Sequence, residues 1–139
     1  EGASDVVDGK ADTPEAVAER VIAACGGPVE AVIDLVGASA SARAAFASLR
    51  KGGTLILVGL YGGDLPLPLP VMPTRALTVR GSYVGNVKEL RELITLAKTG
   101  KLPAIPITTE PLDKAGEALD RLRAGQVIGR IVLATDGRF

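Results

Sequence analysis

The chain has 139 residues, 16 basic and 16 acidic side chains, no His, no Trp, one Cys, two Phe and two Tyr. That is near the size of one domain, and balanced charge with so few aromatics leaves no basic groove or stacking platform for nucleic acid and no polybasic patch for a membrane. No Ser-His-Asp arrangement is possible, and one Cys without any His speaks against a zinc site, since zinc prefers those ligands. Any chemistry of the chain alone would have to come from carboxylates, Lys, Tyr or backbone groups.

No apolar run approaches the ~20 residues of a membrane span. A single cysteine forms no internal disulfide, which fits a reducing compartment, the cytoplasm. The sequence starts at Glu1 with neither Met nor a secretion signal. Asp5–Asp8 (D-V-V-D) reads as a short strand already in mid-domain, so we expect an upstream part of a longer protein to be missing.

Thr13-Pro14-Glu15 is a helix start, with Thr as N-cap, Pro at the first helical position and an acid in the first turn. Val17, Val21 and Ala24 continue one face, and Gly26-Gly27 ends it. Cys25, in the last turn, is read as a small packed hydrophobe.

Pro28 to Gly63 organises the rest. Val29–Leu35 is a nearly unbroken β-prone run, as expected of a strand covered on both faces. Ser39–Lys51 carries Ala42, Ala45, Phe46 and Leu49 at helical spacing, with Gly52-Gly53 as its stop. Thr54–Val58 is a second buried strand. Strands around a crossover helix lie parallel. Both end in Val-Gly, at Val36-Gly37 and Val58-Gly59. Ligands of open parallel sheets sit outside the carboxyl ends of strands, where Gly lets the backbone come close. The alternative is that these glycines only make tight turns. Asp34, at the end of an apolar strand, must be held by hydrogen bonds or reach the strand's exposed end. We read it as a structural brace in preference to a catalytic acid.

Leu65–Pro73 alternates Pro and reads as an extended surface connection, preferred over a polyproline ligand for a partner domain. Ala76–Val84 is the next strand, with Arg80 pointing to an edge or strand end. Asn86–Thr99 is a helix with Asn86 and Glu89 at capping-box spacing and a buried stripe of Leu90, Leu93, Ile94 and Ala97. Pro103–Thr109 is extended. Asp113–Ala124 is a helix with Leu112, Ala115, Leu119 and Leu122 inward, and Gly129–Ala134 a final strand.

Four blocks in this order resemble the carboxyl-terminal portion of the medium-chain, zinc-dependent alcohol dehydrogenases. They are V-I-D-L-V-G, then L-R-K-G-G-T-L-I-L-V-G-L-Y-G-G-D-L, then G-S-Y-V-G-N before a helix, then L-D-K-A-G-E-A-L-D-R-L-R-A-G-Q-V-I-G-R-I-V-L. The resemblance implies an α/β fold: an incomplete Rossmann domain holding strands 3-4-5-6 of the parent parallel sheet, helices on both faces, and a carboxyl-terminal helix-strand extension. Strand 3 would be Asp5–Asp8, strand 4 Val29–Leu35, strand 5 Thr54–Val58 and strand 6 Leu77–Arg80. Residues 1–100 would be the partial dinucleotide-binding domain, and 101–139 an extension belonging to the family's catalytic domain. The family's glycine-rich turn, strands 1 and 2, zinc ligands and proton-relay residues have no counterpart here.

The resemblance also implies an NAD cofactor, with NADP left open, and in the parent protein a zinc ion and a small alcohol or aldehyde substrate. Leu35, Val36 and Gly37 would line its adenosine side, and Val58, Gly59 and Leu60 its nicotinamide end. Ser82, Tyr83 and Val84 would flank the carboxamide. For Tyr83 and Val84, packing behind the strand is the competing reading. Arg130 matches a late arginine facing the pyrophosphate in some members. Without strands 1 and 2, strand 4 should expose one edge and strand 3 should be displaced or pair with a neighbouring molecule. Strand 6, Leu77–Arg80, is the expected homodimer contact. A chain lacking the phosphate-cradling helix N-terminus should be inactive and bind cofactor weakly. A zinc-free quinone or enoyl reductase of the same superfamily, and a non-enzymatic dimerisation module, are the other two readings.

Overall fold

The first regular element among the described residues is a helix of eleven residues. Helix α1, Pro14–Ala24, starts where the Thr13 hydroxyl accepts the Ala16 N–H at 3.2 Å. The structure, a computed structural model, describes residues 3–9 and 13–135. Strand β1 (Val29–Asp34), helix α2 (Ser39–Ser48), strand β2 (Leu49–Leu57), helix α3 (Val71–Arg75) and strand β3 (Thr78–Gly81) follow. The three strands form one parallel sheet in the order β1-β2-β3. Its centre, Leu55, is completely buried. Leu49, Ala45 and Leu77 pack with it, and Val32, Phe46, Leu57 and Val79 close the cluster. Fully burying such an aliphatic side chain contributes about 1.5–3 kcal/mol.

The parallel α/β class is as expected, and so is the reduction of the sheet to three strands. Asp5–Asp8 forms no strand. A lone extended segment without a neighbour has no ladder to join. β1 is accordingly an edge, and its end is open: Ile33, Leu35 and Val36 are more than half exposed.

Three local expectations are corrected. The helix after Gly37 stops at Ser48, three residues short of Lys51, and Leu49 turns extended at φ −65°, ψ 143°. Leu49 pairs with Val29 while Ala31 already pairs with Thr54, so β2 carries a bulge. Gly52-Gly53 serve that bulge and do not cap the helix. Gly52 has φ +76°, and a Cβ on Gly53 would meet the Arg50 carbonyl oxygen at 2.9 Å. The Arg75 guanidinium bonds the Leu49 carbonyl, and Arg50 pairs with Glu30 at 2.8 Å.

The proline-rich stretch ends in helix α3 instead of running extended to Pro73. A proline in a first helical turn removes an N–H that has no intrahelical partner anyway, and its φ is already helical. Cys25 is exposed, not packed: it is the C-cap residue of α1, past the last helical turn.

Residues 87–139 form a second unit, separate from residues 1–86. It holds helix α4 (Val87–Lys98), strand β4 (Ile107–Pro111), a 3₁₀ turn (Leu112–Lys114), helix α5 (Ala115–Arg123) and strand β5 (Arg130–Ala134). β4 and β5 pair parallel. The buried stripes expected here are corrected. Leu90, Leu93, Ile94 and Ala97 of α4, and Leu112, Leu119 and Leu122 around α5, are all exposed. Among the described residues of this unit only Ala118 and Ala134 are buried. Two short strands give these helices too little surface to cover a leucine stripe.

Candidate functional site

The site forms where β1 and β2 end side by side. Asp34 closes β1 and is buried. Its Oδ1 accepts the N–H of Val36 at 2.9 Å and of Gly37 at 3.1 Å, and its Oδ2 accepts the Ser41 hydroxyl at 3.0 Å. Ser41 Oγ also accepts the Ala38 N–H at 3.1 Å, so the first turn of α2 is tied to the same carboxylate. Asp34 is therefore the brace that its place in the sequence predicts. Three donors offset the cost of burying it.

The two tips are laced together by main-chain bonds. The Asp34 carbonyl accepts the N–H groups of Val58 (2.9 Å) and Gly59 (3.0 Å). Tyr61 N–H donates to the Val36 carbonyl at 3.1 Å, and Gly62 N–H to the Gly37 carbonyl at 3.0 Å. This explains the paired glycines. A Cβ on Gly37 would lie 2.0 Å from the Gly59 oxygen, and one on Gly59 2.0 Å from the Val36 carbonyl carbon. The tips need Gly because they touch each other. The N–H groups of Val36, Gly37, Val58, Gly59, Tyr61 and Gly62 are all engaged within the protein.

Beside the tips lies a groove of about 340 Å³, bounded by Gly37, Ala38 and Ser39, by Leu57, Gly59 and Leu60, and by Gly62–Leu65. Its far wall is latched by Ser39, whose hydroxyl accepts the Asp64 N–H at 2.9 Å. Gly63, at φ +123°, leaves room for that hydroxyl, which a Cβ would approach to 2.4 Å. Its apolar wall is open, with Leu60 80% exposed, while the exposed Leu35 and Val36 border a second groove of about 380 Å³ against α1 and α2. A third tip joins, since Ser82 N–H donates to the Leu57 carbonyl at 2.9 Å. Tyr83 and Val84 are each 75% exposed. Val84 holds φ +40°, rare for a β-branched residue.

Of the residues expected at a cofactor site, Leu35, Val36, Gly37, Val58, Gly59 and Leu60 thus stand together, with Ser82 beside them. Arg130 belongs to the second unit, where its N–H donates to the Pro106 carbonyl at 2.9 Å. The mouth described here is built from first-unit residues alone. Ser39, Ser41 and Asp64 were not read from the sequence as part of it. The available signal was two serines in a helical first turn directly after a glycine.

Among the described residues no group of three His, Cys, Asp or Glu side chains could hold a metal ion. No helix among them is long and apolar enough to cross a membrane.

An open parallel sheet with a groove at the carboxyl ends of adjacent strands defines a Rossmann-type α/β protein. The sequence profile of the zinc-binding dehydrogenases matches residues 1–99. The chain belongs to that family, and its resemblance to the medium-chain alcohol dehydrogenases is confirmed. It is 36% identical over 132 residues to an alcohol dehydrogenase of Moraxella sp. (strain TAE123), covering 95% of this chain and 38% of the relative. It is 33% identical to an NAD-dependent alcohol dehydrogenase of Saccharolobus solfataricus, with the same coverage. The crystal structure of the alcohol dehydrogenase of the archaeon Aeropyrum pernix superposes with a TM-score of 0.79 at 37% identity, covering 96% of this chain and 38% of that one. The chain thus spans well under half the length of these relatives.

Proposed function

We propose that the mouth formed by Leu35–Gly37, Val58–Leu60 and Ser82–Val84 is one side of a nicotinamide-dinucleotide cleft, NAD being favoured over NADP. The protein that carries it is, on this reading, an alcohol dehydrogenase acting on a small alcohol or aldehyde. The observation behind this is the open groove at the carboxyl ends of two adjacent parallel strands. It is supported by membership of the zinc-binding dehydrogenases and by the NAD dependence named for the Saccharolobus relative. A groove of about 340 Å³ lies at the low end of the range for small-molecule sites, roughly 300–1,000 Å³, as suits part of a dinucleotide. When bound, the nicotinamide would supply the hydride acceptor or donor. The residues of this chain would shape and shield one wall.

On this reading residues 1–100 belong to the dinucleotide-binding domain and residues 101–139 to the catalytic domain. The chain by itself binds cofactor weakly and does not turn over. β3 is an edge strand, and we assign Leu77–Arg80 as the contact between two copies in a homodimer. The lone cysteine accords with a cytoplasmic setting. NADH titrated into the ¹⁵N-labelled chain should shift the amide resonances of Leu35–Gly37 and Val58–Leu60. Shifts confined to other residues, or none at millimolar NADH, would sink the proposal.

A further inference from the structure

Asp34 engages both tips at once. Its carboxylate holds the N–H groups of Val36 and Gly37, while its main-chain carbonyl holds those of Val58 and Gly59. The Val36 and Gly37 carbonyls then hold Tyr61 and Gly62. A buried carboxylate this close to a groove could serve chemistry or geometry. Here three donors inside the protein already occupy it; it borders a separate groove with Leu35, Val36 and Ser41, but not the groove beside the glycine tips. Proton transfer to a ligand there is therefore not its task.

We infer that Asp34 is a positioning residue of the dinucleotide mouth: it fixes the Leu35–Gly37 tip and, through that tip's carbonyls, the Tyr61–Gly63 turn, without touching the ligand. The inference rests on the reading of the mouth given above. Ser41 is its second anchor, because one hydroxyl binds the carboxylate and the Ala38 N–H together. The loop between β1 and α2 is thereby fixed at its start and its end. The turn that forms the opposite wall hangs from it by two hydrogen bonds.

The test compares Asp34→Ala, Asp34→Asn and Ser41→Ala with the parent chain by amide hydrogen exchange and by NADH titration. Asp34→Ala frees Val36 and Gly37 directly, which a merely local brace would also do. Positioning further requires faster exchange at Tyr61 and Gly62, which the side chain never touches, by about tenfold or more. NADH affinity should fall by about tenfold or more. Asn retains an oxygen for both N–H groups, so Asp34→Asn should return exchange and affinity to within about threefold of the parent. Unchanged exchange at Tyr61 and Gly62 in Asp34→Ala overturns the inference, as does an Asn variant no better than the Ala one. If Asp34→Ala does not fold, Ser41→Ala decides: faster exchange at the same four amides supports the role and its absence overturns it. Failure of the parent chain to bind NADH would remove the dinucleotide reading, while the exchange measurements would still decide whether Asp34 couples the two walls.

Discussion

A single methyl group tests the mouth at the residue scale. In Gly59→Ala the new Cβ would sit 2.0 Å from the Val36 carbonyl carbon, main chain that no rotamer change can move aside. The two tips would have to separate, breaking the bonds from Val58 and Gly59 to Asp34. We expect a loss of about 3 kcal/mol or more in urea unfolding, and a loss under about 1 kcal/mol would refute the close approach. Ala76 makes the converse case. It closes α3 at φ +49°, a left-handed position with Leu77 N–H bonded to the Met72 carbonyl at 3.0 Å. An L-residue there costs about 1–2 kcal/mol in strain, partly offset because Gly loses more chain entropy on folding. Ala76→Gly should therefore stabilise by about 0.5–1 kcal/mol, read as a rise in Tm. A fall in Tm would mean that the left-handed turn is not formed in solution.

Among the elements, α1 and α2 pack side by side and share an ion pair, Arg43 Nη2 to Glu15 Oε1 at 2.7 Å. A backbone hydrogen bond in the first turn of α1, and then Arg43, hold the Glu15 carboxyl below its ordinary pKa. A lowered carboxylate pKa favours the folded state at pH above the ordinary value, about 4.3, and the advantage is lost as pH falls through the folded value. The stability difference between the parent chain and Glu15→Gln should thus be present at pH 7, shrink below about pH 4, and weaken with added salt because both side chains are more than half exposed. A difference constant down to pH 2.5 would exclude the pairing. How much of this was legible varies by element. Thr13-Pro14-Glu15 announces α1 because each residue acts locally. β1 and the parallel class are equally plain from short β-prone runs around a helical stripe, whereas the run Ala76–Val84 overstates β3, which keeps only Thr78–Gly81 because Ala76 already ends α3 in a left-handed turn. The bulge at Arg50–Gly53 was not legible, since Gly-Gly after a helical pattern reads as a helix stop. Only the pairing of Leu49 with Val29 shows that the strand has already begun. At the site, Asp34 could be read as a brace because an unpaired buried carboxylate is too costly. The partners of Gly37 and Gly59 could not, because a glycine that avoids a ligand and one that avoids another main chain are the same letter.

For the molecule as a whole, the decisive contrast is where apolar surface goes. In the first unit Leu49, Leu55 and Leu77 are buried against a three-stranded sheet. The second unit buries only Ala118 and Ala134 among its described residues, and leaves Leu90, Leu93, Ile94, Leu119 and Leu122 open. An amphipathic helix draws most of its stability from the surface its apolar face covers. At ~25 cal/mol per Å², two buried alanines contribute far less than the buried leucines of the first unit. Ordering α4 and α5 costs about 1–2 kcal/mol per residue in backbone entropy. Local opening should therefore be much easier in the second unit than around β2. Hydrogen exchange read by mass spectrometry should show peptides from Val87–Lys98 and Ala115–Arg123 exchanging about a hundredfold faster than peptides from Thr54–Leu57. Leu93→Glu, placed on the open stripe, should leave the Tm of the chain nearly unchanged, whereas Leu55→Ala should cost about 2–5 kcal/mol. Equal protection of the two units, or a large loss from Leu93→Glu, would show that the stripe of α4 is already covered in the chain as it stands.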